Sequence, residues 1–183
     1  MNKICLTILR AVFFGFLSCH VFSGELSQIT VEQIKPINYF FTKAEMERNS
    51  FHEQGEQIAQ QLAFTIAKET PGTIWGGFTY VFEGMSAEQV EKAQKVVAKL
   101  GWPLESRLAA NEVVEPNGFQ VLQEMKCFCA LYEGQSDGVI EAWSSMMASA
   151  KSRGYSLTGE ARTRIKLSSQ TGYIIAQLQL GIL

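Results

Sequence analysis

The 183 residues carry 16 basic and 18 acidic side chains and are 46% hydrophobic, enough for one domain that buries about two-thirds of its surface. No run of Lys or Arg exceeds two residues. That balance argues against a nucleic-acid footprint, which needs a concentrated basic face to displace counterions.

Lys3 and Arg10 precede a short apolar run from Ala11 to Phe22, too short to span a bilayer. With Val21-Phe22-Ser23 ahead of Gly24, residues 1–23 read as a signal peptide, and residues 24–183 as one exported domain, periplasmic or secreted. The alternative cut treats Phe16-Leu17-Ser18-Cys19 as a lipoprotein box with Cys19 lipidated; Phe16 fits that box poorly. Lys3 and Arg10 are the two basic residues of the leader, so the remainder keeps 14 of the 16 and is mildly acidic. No further membrane-spanning segment is expected in it.

Glu25 to Lys35 is polar and mixed, and Pro36 introduces an extended segment, Ile37–Thr42, predicted as a strand. Ser50 with Glu53 has capping-box spacing, and Phe51, Gly55, Ile58, Ala59, Leu62, Ala63 and Ile66 keep helical period until Pro71-Gly72. Thr73–Glu83 is β-branched and aromatic and is predicted as a strand, with Gly76-Gly77 as a bulge or close-approach point. Val90, Ala93, Val96, Val97 and Leu100 recur at spacings that predict a helix from Ser86 to Leu100, stopped by Gly101 and Pro103. Leu104–Glu115 is assigned to a strand ended by Pro116-Asn117-Gly118.

Phe119–Tyr132 alternates in part and is predicted as one bulged strand. Asp137 is placed as the cap of a helix to Ser152, with Val139, Ile140, Ala142, Trp143, Met146, Met147 and Ala150 along one side, and Trp143 is assigned to the core. Glu160–Leu167 alternates Ala161, Thr163, Ile165 and Leu167 against Glu160, Arg162, Arg164 and Lys166. The charged row reads as the solvated face of an edge strand. Tyr173–Ile182 is the closing strand.

The element order suggests a duplicated strand-helix-strand-strand unit, and hence an α+β fold with one antiparallel curved sheet and its helices on one face. The helix at 86–100 has no counterpart in the second half. Cys127 and Cys129, two apart on a strand, point to the same face and read as small core residues facing the helix layer. A redox or metal pair would lack the usual two-residue spacer and any partner His.

Tyr132-x-Gly134, the helix bearing Trp143, Gly154-Tyr155, Gly159-x-x-Arg162 and the final strand together resemble the GyrI-like effector-binding domains. The resemblance covers residues 119–183 well and the first half by element order. It implies two back-to-back units around a small-molecule groove near a pseudo-twofold axis. Many members carry a glutamate, followed two residues on by tyrosine, on the strand after the helix; here those positions hold Thr163 and Ile165. Recognition of lipophilic cations through that carboxylate is therefore not carried over.

The groove so implied would be lined by Trp75, Tyr80, Tyr132 and Thr163, with Tyr173 a further ligand-binding residue, suiting a small hydrophobic or aromatic molecule. No cofactor or metal is expected, since His52 stands alone at a helix start and reads as solvated surface. Glu83 and Glu133 end strands at matching places in the two halves; they are either solvated turn residues or an acid/base pair. The leading expectation is a noncatalytic small-molecule binder of the cell envelope. The alternatives are a hydrolase using Glu83 or Glu133 with Tyr132, or a structural or interaction module without a ligand.

Overall fold

The computed structural model describes residues 24–86, 92, 94–109 and 115–183. The leader proposed at 1–23, the middle of the helix predicted at 86–100 and the end of the strand predicted at 104–115 lie outside these residues. Nine strands build one antiparallel sheet: β1 Gly24–Leu26, β2 Thr30–Ile34, β3 Ile37–Glu47, β4 Thr79–Phe82, β5 Lys95–Leu104, β6 Gly118–Leu122, β7 Met125–Gln135, β8 Leu157–Ser168 and β9 Tyr173–Ile182. Their order is β1-β7-β9-β8-β4-β5-β3-β6, with β2 also on β7. Among the described residues two helices, α1 (Phe51–Glu69) and α2 (Val139–Ser152), complete an α+β fold. Neither is long and apolar enough to cross a membrane.

The duplication is present and more regular than the sequence suggested. In β3-α1-β4-β5 and β7-α2-β8-β9 the third strand lies between the other two, giving β4–β5–β3 and β8–β9–β7, and the halves join where β4 pairs with β8. The helix predicted at 86–100 is corrected in its last part: from Lys95 onward that segment is β5, which takes the place of the strand predicted at 104–115. Val96, Ala98, Leu100 and Trp102 turn toward the main core, while Lys95, Val97 and Lys99 turn away. The regular strand predicted at 73–83 shrinks to Thr79–Phe82, preceded by a single Ile74–Leu104 bridge. Residues 105–109 are not a strand. The long strand at 119–132 is two strands: β6 returns to β3, and β7 pairs with β9.

Both helices pack on one side of the sheet. Leu62 and Ile66 of α1, and Ala142, Trp143, Met146, Met147 and Ala150 of α2, share a cluster with Phe40, Leu100, Phe128, Ala176 and Leu178. Each large apolar side chain so buried contributes roughly 1.5–3 kcal/mol relative to exposure. α1 starts at Phe51 after a single 3-10 turn and ends where Thr70 turns extended ahead of Pro71. Asp137 lies in a 3-10 turn and makes no side-chain cap of α2.

The opposite face is more polar. Tyr39 runs from β3 beneath β5, its hydroxyl 2.6 Å from the Thr79 carbonyl and 2.9 Å from that of Lys99, sharing one proton between two strands. Arg162 sits here as well, only 1% exposed, because β8 is an inner strand between β9 and β4. This corrects its assignment to a solvated edge. Its Nε donates to Glu160 Oε1 at 2.6 Å and its Nη2 to the Gln123 carbonyl at 3.0 Å. Cys127 and Cys129 cluster with Met125 and Ile34 on this face, away from the helices rather than toward them. Their sulfurs lie 2.9 Å apart; the hydrogen bond between them draws the Cys127 thiol down and, together with burial, pushes Cys129 up.

Candidate functional site

A groove of about 980 Å³ opens between the first turns of the two helices, above the seam where the halves meet. Its floor follows from strand alternation: Tyr80 and Phe82 of β4 and Thr163 and Ile165 of β8 point to the helix side, with Tyr80 and Thr163 directly paired across the seam. Phe51 and His52 of α1 form one wall. Val139, Ile140 and Trp143 of α2 form the other. Met85 and Val96 close a third side.

Aromatic packing sets the floor's shape. Phe51 stacks on Tyr80 with ring centres 4.9 Å apart, and Tyr80 lies parallel to Phe82 at 6.4 Å. Gly55, one turn into α1, is needed here: any Cβ at that position would strike the Tyr80 hydroxyl, so the ring reaches the helix backbone only because the side chain is a hydrogen.

The floor carries no charge. Thr163 is 4% exposed, and its Oγ1 has no hydrogen-bond partner among the described residues. An unsatisfied buried hydroxyl costs about 1–3 kcal/mol. Burial, reinforced by Glu56, pushes the Tyr80 phenol far above its ordinary value, and burial does the same for Tyr39. Both are neutral in either state well below the ordinary value of 10.0. Above it the unfolded chain releases protons that the folded chain keeps, so stability is lost as pH rises. In a protein whose Cys127 and Cys129 are replaced by Ser, which removes the shifted thiols, urea unfolding should therefore give a constant free energy from about pH 7 to 9, then a fall approaching about 2.7 kcal/mol per pH unit for the two phenols. A flat profile to about pH 11 would show that these phenols ionise freely in the native state.

Charges stay at the rim. Lys95 bridges to Glu45 at 2.8 Å and Glu47 at 3.6 Å, and Glu83 pairs with Lys99 at 2.6 Å. His52 lies 3.4 Å from Glu56. It was expected at a solvated surface and instead stands in the groove wall.

Of the residues singled out from sequence, Tyr80, Thr163 and Glu83 meet at this groove; Trp75, Tyr132, Tyr173 and Glu133 do not line it. Trp75 is 49% exposed, stacked under the Arg164 guanidinium at 5.0 Å beside a separate shallow depression. Tyr132 is 2% exposed and covered by β1, and its hydroxyl donates to the Gln135 carbonyl at 2.6 Å. The Tyr173 hydroxyl donates to Glu133 at the far end of the sheet. Two strands, β9 and β8, separate β7 from β4, so Glu133 and Glu83 stand about 14 Å apart or more at ordinary strand spacing and form no acid/base pair. Trp143 is 3% exposed, at once core and groove wall. Phe51 and Ile140 were missed as wall residues. Their only signal is an apolar side chain in the first turn of a helix, where the sheet beneath no longer needs covering. Among the described residues no three acidic, His or Cys side chains gather as a metal site.

No protein-family model matches the chain. No curated protein matches it in sequence. Solved structures are similar in fold. The EcmrR chain in its DNA complex superposes with a TM-score of 0.70 at 13% identity, over 85% of this chain and 57% of that one. The present chain thus spans little more than half of that protein. The EcmrR C-terminal domain alone gives 0.67 at 13% identity, over 85% and 97%. SAV2435 bound to tetraphenylphosphonium gives 0.57 at 8%, over 86% and 94%, and a hydrolase encoded by lin2189 of Listeria innocua gives 0.56 at 9%, over 85% and 92%.

Proposed function

We propose that this chain, which has the GyrI-like effector-binding fold, holds a small, partly hydrophobic molecule in the groove between α1 and α2 and does no chemistry on it. The observation that carries this reading is the groove: about 980 Å³, aromatic and aliphatic in its walls, with a buried hydroxyl on its floor that has no partner among the described residues. Apolar concavities of this size with few convergent polar groups are the usual form of small-molecule sites. SAV2435, similar in fold, is known bound to tetraphenylphosphonium. The noncatalytic part is supported by the carboxylates: Glu83 is neutralised by Lys99 at the rim, and Glu133 is held by Tyr173 elsewhere. The chain is proposed to work in the envelope, after removal of residues 1–23.

A solvatochromic hydrophobic dye tests the site. Ile140→Trp, which fills the groove from α2, should weaken dye binding at least tenfold, whereas Trp75→Ala should leave it within twofold. Equal affinity in parent and Ile140→Trp would remove the groove from consideration. Turnover of an ester or amide probe that Glu83→Gln abolishes would replace the binder with the hydrolase reading, for which the likeness to the Listeria hydrolase is the one supporting observation. Envelope localisation predicts a mature N-terminus at Gly24 in the exported fraction; an intact leader on cytosolic protein would refute it.

A further inference from the structure

Three observations bear on what the groove selects. Its floor has Tyr80, Phe82, Thr163 and Ile165 and no ionisable group held in charged form. Thr163 lines this space, and its Oγ1 is buried with no hydrogen-bond partner among the described residues. Both helices present their first turns to the groove, and neither Ser50 nor Gly138 makes a side-chain cap. The positive ends of the two helix dipoles therefore lie beside the mouth, although each helix continues from a 3-10 turn and the Val139 N–H is already taken by the Ser136 carbonyl.

The rim charges do not reverse this polarity. Glu47 and Glu83 are matched by Lys95 and Lys99. Asp137 is countered in sign by Arg48 and Lys92 among the lining residues. A lipophilic cation would exchange its hydration for aromatic faces alone, with two positive dipole ends nearby and no buried carboxylate. A hydrophobic molecule with an oxygen acceptor would instead satisfy the Thr163 hydroxyl at the centre of the floor.

We infer that the groove selects hydrophobic molecules bearing a hydrogen-bond-accepting oxygen over lipophilic cations of the same shape, and that Thr163 is the residue that sets this preference. The inference rests on the groove being the binding site and names the chemical class of its occupant. The acceptor oxygen meets Thr163 Oγ1, and the aryl or alkyl body lies between Phe51 on one side and Trp143 on the other.

Competition against the bound dye separates the possibilities, with triphenylphosphine oxide as the neutral acceptor, tetraphenylphosphonium as the cation and triphenylmethane as the body without an acceptor. The oxide should displace dye at a concentration at least tenfold below that of the phosphonium. Thr163→Val should weaken the oxide about fivefold and leave triphenylmethane unchanged; Thr163→Ser should restore the oxide. Thr163→Glu, which puts a carboxylate on the floor, should invert the order and favour the phosphonium. Displacement by the phosphonium at or below the oxide's concentration in the parent protein overturns the inference while leaving the groove as the site. An Ile140→Trp protein that binds dye as the parent does would discard the groove itself. Loss of oxide affinity in Thr163→Ser as large as in Thr163→Val would assign the effect to shape and refute the hydroxyl's role.

Discussion

Trp143→Ala is expected to lower the unfolding free energy by about 3–5 kcal/mol, in the range of large-to-small substitutions of buried aromatic residues. Against a typical domain stability of about 5–15 kcal/mol this is a third or more of the total. The effect is large because of what else α2 offers. Its buried stripe is Ala142, Trp143, Met146, Met147 and Ala150, so the indole is the only ring anchoring the helix to the sheet. The methionines are unbranched and fill gaps rather than fix a geometry. Denaturant unfolding followed by far-UV circular dichroism measures the change. A loss under about 1 kcal/mol would mean that the indole is a groove wall free to leave and no part of the fold's support. Trp143→Phe keeps a ring in the wall and should give a folded protein whose dye binding separates the two roles.

Gly101→Val should be nearly as damaging, at about 3 kcal/mol, the upper end of overpacking costs. Gly101 lies in β5, paired on one side with Phe41 and on the other with Thr79. A Cβ there would be driven into the Phe40 carbonyl oxygen, a backbone atom tied into the β3–β5 ladder that cannot rotate aside. The same experiment reads it, as a lowered denaturant midpoint with an unchanged slope. A stability within about 0.5 kcal/mol of the parent would show that the two strands can part at this point.

That glycine also explains the largest misreading of the sequence. Gly101 followed by Pro103 is what the end of a helix looks like, and Val90, Ala93, Val96, Val97 and Leu100 fall at helical spacing before it. In β5 the inward row is Val96, Ala98, Leu100 and Trp102. Val97, apolar but outward, hides the alternation, and the glycine marks close backbone approach rather than a stop. Helices α1 and α2 and strand β9 were legible because each has a wide apolar stripe or a clean flank of turn residues. β1 and β2 were not. They are held by backbone bonds to the edge of β7 and bury little, so their side chains carry no periodic signal. The tail of β3 was obscured in a similar way, with Ala44 and Met46 alternating among charged neighbours.

The site was legible in part for related reasons. Tyr80 and Thr163 were reached because the element order placed them at the seam between the halves. Trp75 and Tyr132 were misplaced because an aromatic on a strand does not declare its face until the register is known. Arg162 was misread because a charged row on a strand looks solvated, and only the strand order puts β8 inside the sheet.

The internal duplication has a last consequence for whatever occupies the cleft. The backbone frame repeats about the β4–β8 seam, but the flanks do not match in chemistry: Phe51 and His52 stand on one side, Val139, Ile140 and Trp143 on the other. A guest therefore meets a phenyl and an imidazole on one bank and aliphatic side chains with an indole on the other, across the same floor, and turning it end for end exchanges those contacts. Head-to-tail molecules should dock in a single pose, and mirror-image guests should be told apart, although the scaffold that holds them is built from two copies of one plan.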